Sequence, residues 1–245
     1  MPRYRLLLSL LPALTLAAPL PAQPLRSAET PQFRTRTASS LSATQVIPYE
    51  SLSPQIRERV RGVVNRPTLV THAEPVEFRA EPKTYEWLLD HPDRASLAYR
   101  RLGVECTPIT DRGNGKFGWA DDQGSDVVWY TVATGPTARV WYAEGQVRAG
   151  AVLPLIPVRV VVVLRHDYLN ESTPAAKVRH QVDVFAHADS RAASIVARLF
   201  GGATDRVAEQ SAEQLLLFFS MLSKYVAEHP EKQERVLAPA QTVSR

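Results

Sequence analysis

Alternating apolar and polar residues dominate the second half of the chain and predict β-strands. Two stretches carry the clearest alternation, with apolar sets Val158, Val160, Val162 and Leu164 in the first and Val178, Val182, Val184 and Ala186 in the second. Arginine, glutamine, aspartate and histidine fill many of the positions between them. A period of two with polar residues on one side indicates an antiparallel sheet with one solvated face.

The pattern changes to helical spacing near the C-terminus. From Asp205 to about Glu228, apolar or small residues recur at intervals of three and four, namely Val207, Ser211, Leu215, Phe218, Leu222 and Tyr225. Leu216, Leu217 and Phe219 widen this stripe beyond the width that a surface helix needs. The pattern therefore predicts a long helix that is nearly surrounded by apolar partners.

Proline and small polar residues divide the rest of the chain into elements. Ser53-Pro54 is typical of a helix start and predicts a short helix within residues 51–67. Val76 to Phe78 is expected as the first strand. Two further helices are expected after Pro82 and Pro92. A shorter helix is predicted from Arg191 to Phe200.

The first residues have the composition of a secretory signal peptide. Arg3 and Arg5 precede an apolar run to Leu16, and small residues follow. We therefore divide the chain into a signal peptide (1–18), an unstructured linker rich in proline and serine (19–50), the N-terminal helix (51–67), an α+β domain (68–230) and a tail (231–245).

Composition narrows the class of protein further. We expect export to the periplasm or the extracellular space, with no transmembrane anchor after cleavage, because no second apolar run is long enough to span a bilayer. Cys106 is the only cysteine, so neither an intramolecular disulfide nor a lipid-modified N-terminus is expected. The net charge of +4 is scattered, which argues against nucleic acid as a partner. The oligomeric state is left open.

Glycines at 113, 115 and 118 match a dinucleotide-binding string, but the chemistry requires a helix directly after the loop. No helical periodicity follows, so we predict a hairpin with Asn114-Gly115 as its turn and a second turn at Asp121 to Gly124. No cofactor is predicted. The histidine spacings match no metal motif, and no serine-nucleophile motif is present.

Two histidines stand out because each occupies the apolar parity of its strand. If the strands form a hairpin, His166 and His180 approach each other near the sheet end. They are then either a polar pair at the mouth of a cavity, able to orient a ligand or transfer a proton, or two solvated residues at a frayed end. Small residues on the parity of Trp141, among them Gly145, leave room on that face for a pocket or for a closely packed helix.

The order of elements resembles the helix-grip fold of the START and Bet v 1-like superfamily, also called SRPBCC. A first strand is followed by paired helices at Tyr85 to Leu89 and Leu97 to Arg101, then by strands between Val127 and Ala188, and finally by a long helix ending near Val226. The resemblance implies an α+β fold in which a curved antiparallel sheet wraps the C-terminal helix and leaves an apolar cavity between them.

Three functions follow, and the first is preferred. It is an exported, non-catalytic protein that binds a hydrophobic or lipid-like small molecule in a cavity lined by Trp141, Val160, Val162, Val182, Val184, Leu215, Phe218 and Leu222, with His166 and His180 near its mouth. The second is an exported interaction or structural module with a filled core and an exposed apolar patch. The third is a cyclase- or lyase-type enzyme, which needs a further Tyr, Asp or Glu beside the two histidines.

Overall fold

The computed structural model describes residues 5–6, 43–148, 154–169, 175–188 and 204–239. Within these residues the helices and strands, in chain order, are β1 (Arg5–Leu6), α1 (Ala43–Val46), α2 (Pro54–Val64), β2 (Leu69–Ala80), α3 (Pro82–Asp90), α4 (Pro92–Arg101), β3 (Glu105–Cys106), β4 (Thr110–Gly113), β5 (Lys116–Ala120), β6 (Asp126–Thr134), β7 (Ala138–Arg148), β8 (Leu155–Tyr168), β9 (Ala176–Ala188), α5 (Thr204–Glu228) and α6 (Gln233–Leu237). Short 3₁₀ helices cover Tyr49–Ser51 and Pro230–Lys232.

Several predictions concern residues outside this set. The signal peptide, apart from Arg5–Leu6, and the linker up to residue 42 lie outside the described residues, as does the predicted helix from Arg191 to Phe200. Arg5–Leu6 pairs in parallel with β3.

Seven strands form one curved antiparallel sheet in the order β2-β9-β8-β7-β6-β5-β4. The first and last of these strands in the chain are therefore neighbours. Helices α3 and α4 carry the chain from the β2 edge to the β4 edge, and the remaining strands return as a meander. Helix α5 then packs against β2 and β9. This is the helix-grip arrangement, so the predicted α+β fold class is confirmed.

The inner face of the sheet packs against α3, α4 and α5. Its core contains residues from every one of these helices, including Leu88, Ala98, Leu216, Phe218 and Leu222. The widened apolar stripe of α5 is explained by this position, because the helix contacts β2, β9, α3 and α4 at once.

The outer face is also covered, which corrects the prediction of one solvated face. Val161 and Val163 of β8 are fully buried against Val60 and Val63 of α2. In β8 the polar residues of the outer parity, Arg159 and Arg165, flank Val161 and Val163, and the middle of the strand is apolar on both sides. Such a run is typical of a strand buried on both faces.

Ordered structure begins earlier than the predicted linker boundary at residue 50. Residues 43–46 form α1, and Ile47 and Leu52 are buried in the same outer-face cluster. The burial of these apolar residues offsets the entropy lost when the segment is ordered. Helix α2 begins as predicted, with the Ser53 hydroxyl accepting a hydrogen bond from the Ile56 amide.

The C-terminal tail also differs from expectation. Residues 233–237 form α6, in which Val236 is buried in the inner-face core. The Arg101 guanidinium of α4 donates hydrogen bonds to the carbonyl oxygens of Val236, Ala238 and Pro239. These bonds fix the segment to the domain up to residue 239.

The turn predictions are confirmed, while the first strand is longer than predicted. Asn114 and Gly115 both have positive φ, as the β4–β5 hairpin requires. Strand β2 covers 12 residues, with a bulge between Ala73 and Val76. The bulge interrupts the alternation that would have revealed the full strand.

Candidate functional site

His166 and His180 are directly paired across β8 and β9 on the inner face. The predicted approach of the two rings is therefore confirmed. The alternative of two solvated residues at a frayed end is wrong, because His166 is 1% and His180 0% exposed. Helix α3 covers this end of the sheet and closes it to solvent, so the pair lies in the interior and not at a frayed strand end.

Tyr85 of α3 covers His180. The Tyr85 hydroxyl lies 3.0 Å from His180 Nδ1, and the Phe78 ring packs 4.7 Å from the imidazole. Burial, together with the nearby His166, lowers the pKa of His180 to about 3, so the ring is neutral at neutral pH. Burial likewise raises the pKa of Tyr85 well above its usual value.

The next residue of α3, Glu86, makes the corresponding contact with His166. Its Oε1 lies 2.7 Å from His166 Nε2 and accepts a hydrogen bond of 2.8 Å from the Tyr168 hydroxyl. The contact with His166 is short, but the carboxylate oxygen lies off the line of the ring N–H, so it is a close polar contact and not an aligned hydrogen bond.

Arg139 of β7 completes the cluster. Its guanidinium donates to Glu86 Oε2 at 2.6 Å and also contacts Asp90, one turn further along α3. Burial, the largest single influence, raises the pKa of Glu86, but the contact with His166 and the hydrogen bonds from Arg139 and Tyr168 together outweigh it and lower that pKa to about 2. Glu86 is therefore a carboxylate at neutral pH.

The histidines keep unused hydrogen-bonding capacity. His166 Nδ1 and His180 Nε2 are buried and have no hydrogen-bond partner among the described residues, and the same is true of the Ser223 hydroxyl on α5. Buried polar atoms are normally paired, so each such atom calls for a partner such as water or a ligand. All three belong to elements that surround the inner-face core.

The predicted lining residues all belong to this core or pack against it. Fully or nearly fully buried are Trp141, Val160, Val182, Val184, Phe218 and Leu222, while Val162 and Leu215 are half-buried. The Trp141 ring stacks on Phe219 of α5, 6.0 Å away, so the helix fills the space there. Gly145 is small for another reason: a Cβ at that position would lie 2.2 Å from the Asp126 carbonyl oxygen of the neighbouring strand.

One stretch of the inner face is less completely covered than the rest. Val162, in the middle of the interior strand β8, stays half-buried, whereas Val161 and Val163 on the outer face are fully buried. Ala143 and Ala186, the neighbours of Val160 on the adjacent strands, are also half-buried. Apolar side chains in the middle of a sheet and beneath a helix thus remain accessible.

Sequence reasoning missed the partners of the two histidines. Tyr168 and Arg139 could have been found, because Tyr168 shares the parity of His166 and Arg139 shares that of Trp141, where a charged residue is unusual. Tyr85 was recognised only as a core position of its helix. Glu86 and Asp90 gave no signal, since acidic residues on a short helix usually face solvent.

The described part of the chain contains no cluster of three or more His, Cys, Asp or Glu residues able to bind a metal ion. Over the same residues, no helix combines the length and apolar character needed to cross a membrane.

Comparison with known proteins gives structural likenesses only. No protein-family model matches the chain, and no curated protein matches its sequence. Among solved structures, a conserved protein from Geobacillus kaustophilus is 15% identical over 63% of this chain and 93% of its own, with a TM-score of 0.42. The hypothetical protein jhp0584 from Helicobacter pylori is 10% identical over 67% of this chain and 93% of its own, also with a TM-score of 0.42.

A third solved structure is the di-domain ARO/CYC protein BexL of the BE-7585A biosynthetic pathway. It is 16% identical over 68% of this chain and 53% of its own, with a TM-score of 0.36. Scores below 0.5 are too low to transfer a function. The helix-grip fold is established by the strand order and the packing of α5, and no family is assigned.

Proposed function

We propose that the protein binds a hydrophobic small molecule, such as a lipid, between the inner face of the sheet and helix α5. The observation that carries this proposal is the incomplete burial of Val162, Ala143 and Ala186 beneath the helix. Apolar surface that stays accessible inside a fold is stabilised when an apolar ligand covers it. The two unpaired imidazole nitrogens further along the same face supply a place for a polar group.

The alternative of a protein-interaction module has less support. Large apolar side chains more than a third exposed are few in the described residues: Val70, Leu169, Leu217 and Met221. They belong to β2, the segment after β8, and α5, and only Leu217 and Met221 are neighbours, one helical turn apart. A contiguous apolar surface of the size expected for an interface is not formed by this set.

Native mass spectrometry of the purified full-length protein tests the proposal. We expect a mass adduct that organic solvent removes, and displacement of a fluorescent hydrophobic probe when the extract is added back. A Val162→Phe variant fills the accessible stretch and should lose at least tenfold in probe affinity. Val70→Phe is the matched control, because Val70 is 53% exposed, and its affinity should not change.

The absence of any adduct, together with no probe binding by the wild-type protein, would contradict ligand binding. Equal loss of affinity in the Val162→Phe and Val70→Phe variants would show that binding occurs elsewhere on the molecule.

Acid–base catalysis is a second candidate, favoured by the contact between Glu86 and His166. A carboxylate against one ring nitrogen orients the imidazole and leaves the other nitrogen free to accept a proton, which is the arrangement of a general base. Tyr85 nearby keeps its phenol proton and is the candidate acid, while His180 is neutral. Neighbouring groups with pKa values displaced in opposite directions are typical of acid–base pairs.

Deuterium incorporation separates the two candidates. The extracted molecule is returned to the protein in D₂O and its mass is followed with time. Catalysis predicts deuterium uptake by the wild-type protein and at least a hundredfold slower uptake by His166→Phe. Binding without chemistry predicts no uptake beyond that of the free molecule.

Export is part of the same proposal and rests on residues 1–18. Expression of the full chain in a bacterium with an outer membrane should place the protein in the periplasm, with an N-terminus near residue 18 or 19. A cytoplasmic protein that starts at residue 1 or 2 would contradict it.

A further inference from the structure

The contacts of His180 define which ring nitrogen carries the proton. The Tyr85 hydroxyl is buried, and His180 Nδ1, 3.0 Å away, is its hydrogen-bond partner among the described residues. A buried hydroxyl that keeps its proton must donate it, so Nδ1 accepts and His180 Nε2 carries the hydrogen. His180 therefore offers one unused donor to the interior.

His166 offers the opposite. Its Nε2 lies against the Glu86 carboxylate, which only accepts hydrogen bonds, so Nε2 carries a hydrogen. Nδ1 is buried and has no partner among the described residues, and it is an acceptor in the tautomer with one ring hydrogen. The two histidines are register partners on adjacent strands. They therefore offer one donor and one acceptor at the same level of the inner face.

The charged side chains beside the histidines already have partners. Glu86 is ionised, and the charge of Arg139 is matched by Glu86 and Asp90. A ligand carboxylate would be buried near the Glu86 carboxylate with no unpaired cation beside it among the described residues, and a ligand ammonium would displace Arg139 or lie beside its charge. Burial of an unpaired charge costs far more than burial of a hydroxyl that forms two hydrogen bonds.

We infer that the polar end of the bound molecule is an uncharged hydroxyl, an alcohol or a phenol, that accepts a hydrogen bond from His180 Nε2 and donates one to His166 Nδ1. This inference rests on the proposed ligand-binding function and adds the chemical class of the ligand. It goes beyond the general ligand-binding proposal because it excludes a carboxylate or an amine as the polar end of the ligand.

The geometry also sets a minimum length for the ligand. Val162 lies four residues before His166 on β8, which is about 13 Å along a strand. Leu164 and Val182 fill the inner face between these positions. A molecule that covers Val162 and reaches the histidines must therefore be elongated and must lie over, or displace, these two side chains.

Four probes of equal chain length test the inference: 1-dodecanol, dodecyl methyl ether, dodecanoate and dodecylamine. Their affinities are measured by displacement of a fluorescent hydrophobic probe from the full-length protein at pH 7. We expect dodecanol to bind about tenfold more tightly than the ether, because the ether cannot donate to His166 Nδ1. Dodecanoate and dodecylamine should bind more weakly than the ether.

Two variants assign the hydrogen bonds. In the His166→Phe variant, dodecanol and the ether should bind with equal affinity, since the acceptor is gone. His180→Phe should weaken both compounds, since both use the donor. The order of the four probes on the wild-type protein stands as a test even if either variant fails to fold.

The outcomes separate this inference from the function on which it rests. Dodecanoate or dodecylamine binding at least as tightly as dodecanol would overturn the hydroxyl assignment and leave hydrophobic binding intact. Equal affinities of dodecanol and the ether would also overturn the hydroxyl assignment without affecting hydrophobic binding. They would indicate water as the partner of the histidines. Binding of none of the four compounds would overturn the ligand-binding proposal as well.

Discussion

The two faces of the sheet are built from the same strands but differ in what they bury. On the outer face, α2 and residues 43–52 cover valines that are fully buried, and ion pairs such as Arg59–Glu144 lie at the exposed rim. On the inner face, α3 and α5 cover two histidines and an arginine that are nearly inaccessible, and yet leave Val162 half-buried.

This difference separates stability from function. A closely packed apolar face without buried charge is the cheapest way to stabilise a sheet, since hydrophobic packing often matches or exceeds a buried ion pair. The inner face departs from that solution twice, once by burying a polar cluster and once by leaving apolar surface accessible. Departures of both kinds are concentrated at functional sites.

Loss of Arg139 should produce the largest difference between the faces. Arg139→Leu leaves Glu86 and Asp90 without their cation, and we expect a loss of about 3 kcal/mol in the free energy of unfolding, the low end for buried pairs because both carboxylates retain contact with solvent. Urea denaturation at pH 7 measures it. Arg59→Leu is the outer-face control, with an expected loss under about 1 kcal/mol. Equal losses of unfolding free energy in the two variants would show that the inner and outer faces do not differ in their dependence on ion pairs.

The second largest effect is expected on acidification, which should destabilise the folded protein through His180 of the inner face. Because the pKa of His180 is lowered from 6.5 to about 3, the unfolded chain binds a proton between these values that the folded protein does not. Stability is therefore lost as the pH falls, by about 2 kcal/mol between pH 7 and pH 5. His180→Gln should remove most of this dependence, whereas His72→Gln, at an exposed position of β2, should retain it. A His180→Gln protein with the wild-type pH profile would show that the histidine is not neutral when folded.

The smallest expected difference concerns two adjacent valines. Val163→Ala creates a cavity in the outer-face core and should cost about 2 kcal/mol of unfolding free energy. Val162→Ala removes half-buried methyl groups and should cost less than about 1 kcal/mol in the ligand-free protein. Thermal unfolding of the two variants side by side gives the comparison, and a larger loss for Val162→Ala would mean that the inner face is as closely packed as the outer.

Much of the fold followed from residue patterns. The period-two runs of β8 and β9, the proline-initiated helices and the apolar stripe of α5 report local geometry, and each is confirmed. The outer-face cover was missed because Ile47 and Leu52 are isolated apolar residues in a polar segment, and only their contact with Val161 and Val163 reveals their role.

The site was predictable only in part, for the same reason. The parity of His166 and His180 places both on one face, and hairpin register brings them together. Their burial and chemistry depend on Tyr85 and Glu86, which come from a helix 80 residues or more earlier in the chain. Such long-range packing is set by tertiary contacts, and no local pattern encodes it.

Methyl NMR during a titration with 1-dodecanol tests the central claim most directly, since it reads both faces in one sample. With ¹³C-labelled valine and alanine methyl groups, the account predicts shifts at Val162, Ala143 and Ala186 of the inner face and none at Val161 and Val163 of the outer face. Shifts at Val161 and Val163 without shifts at Val162 would contradict it.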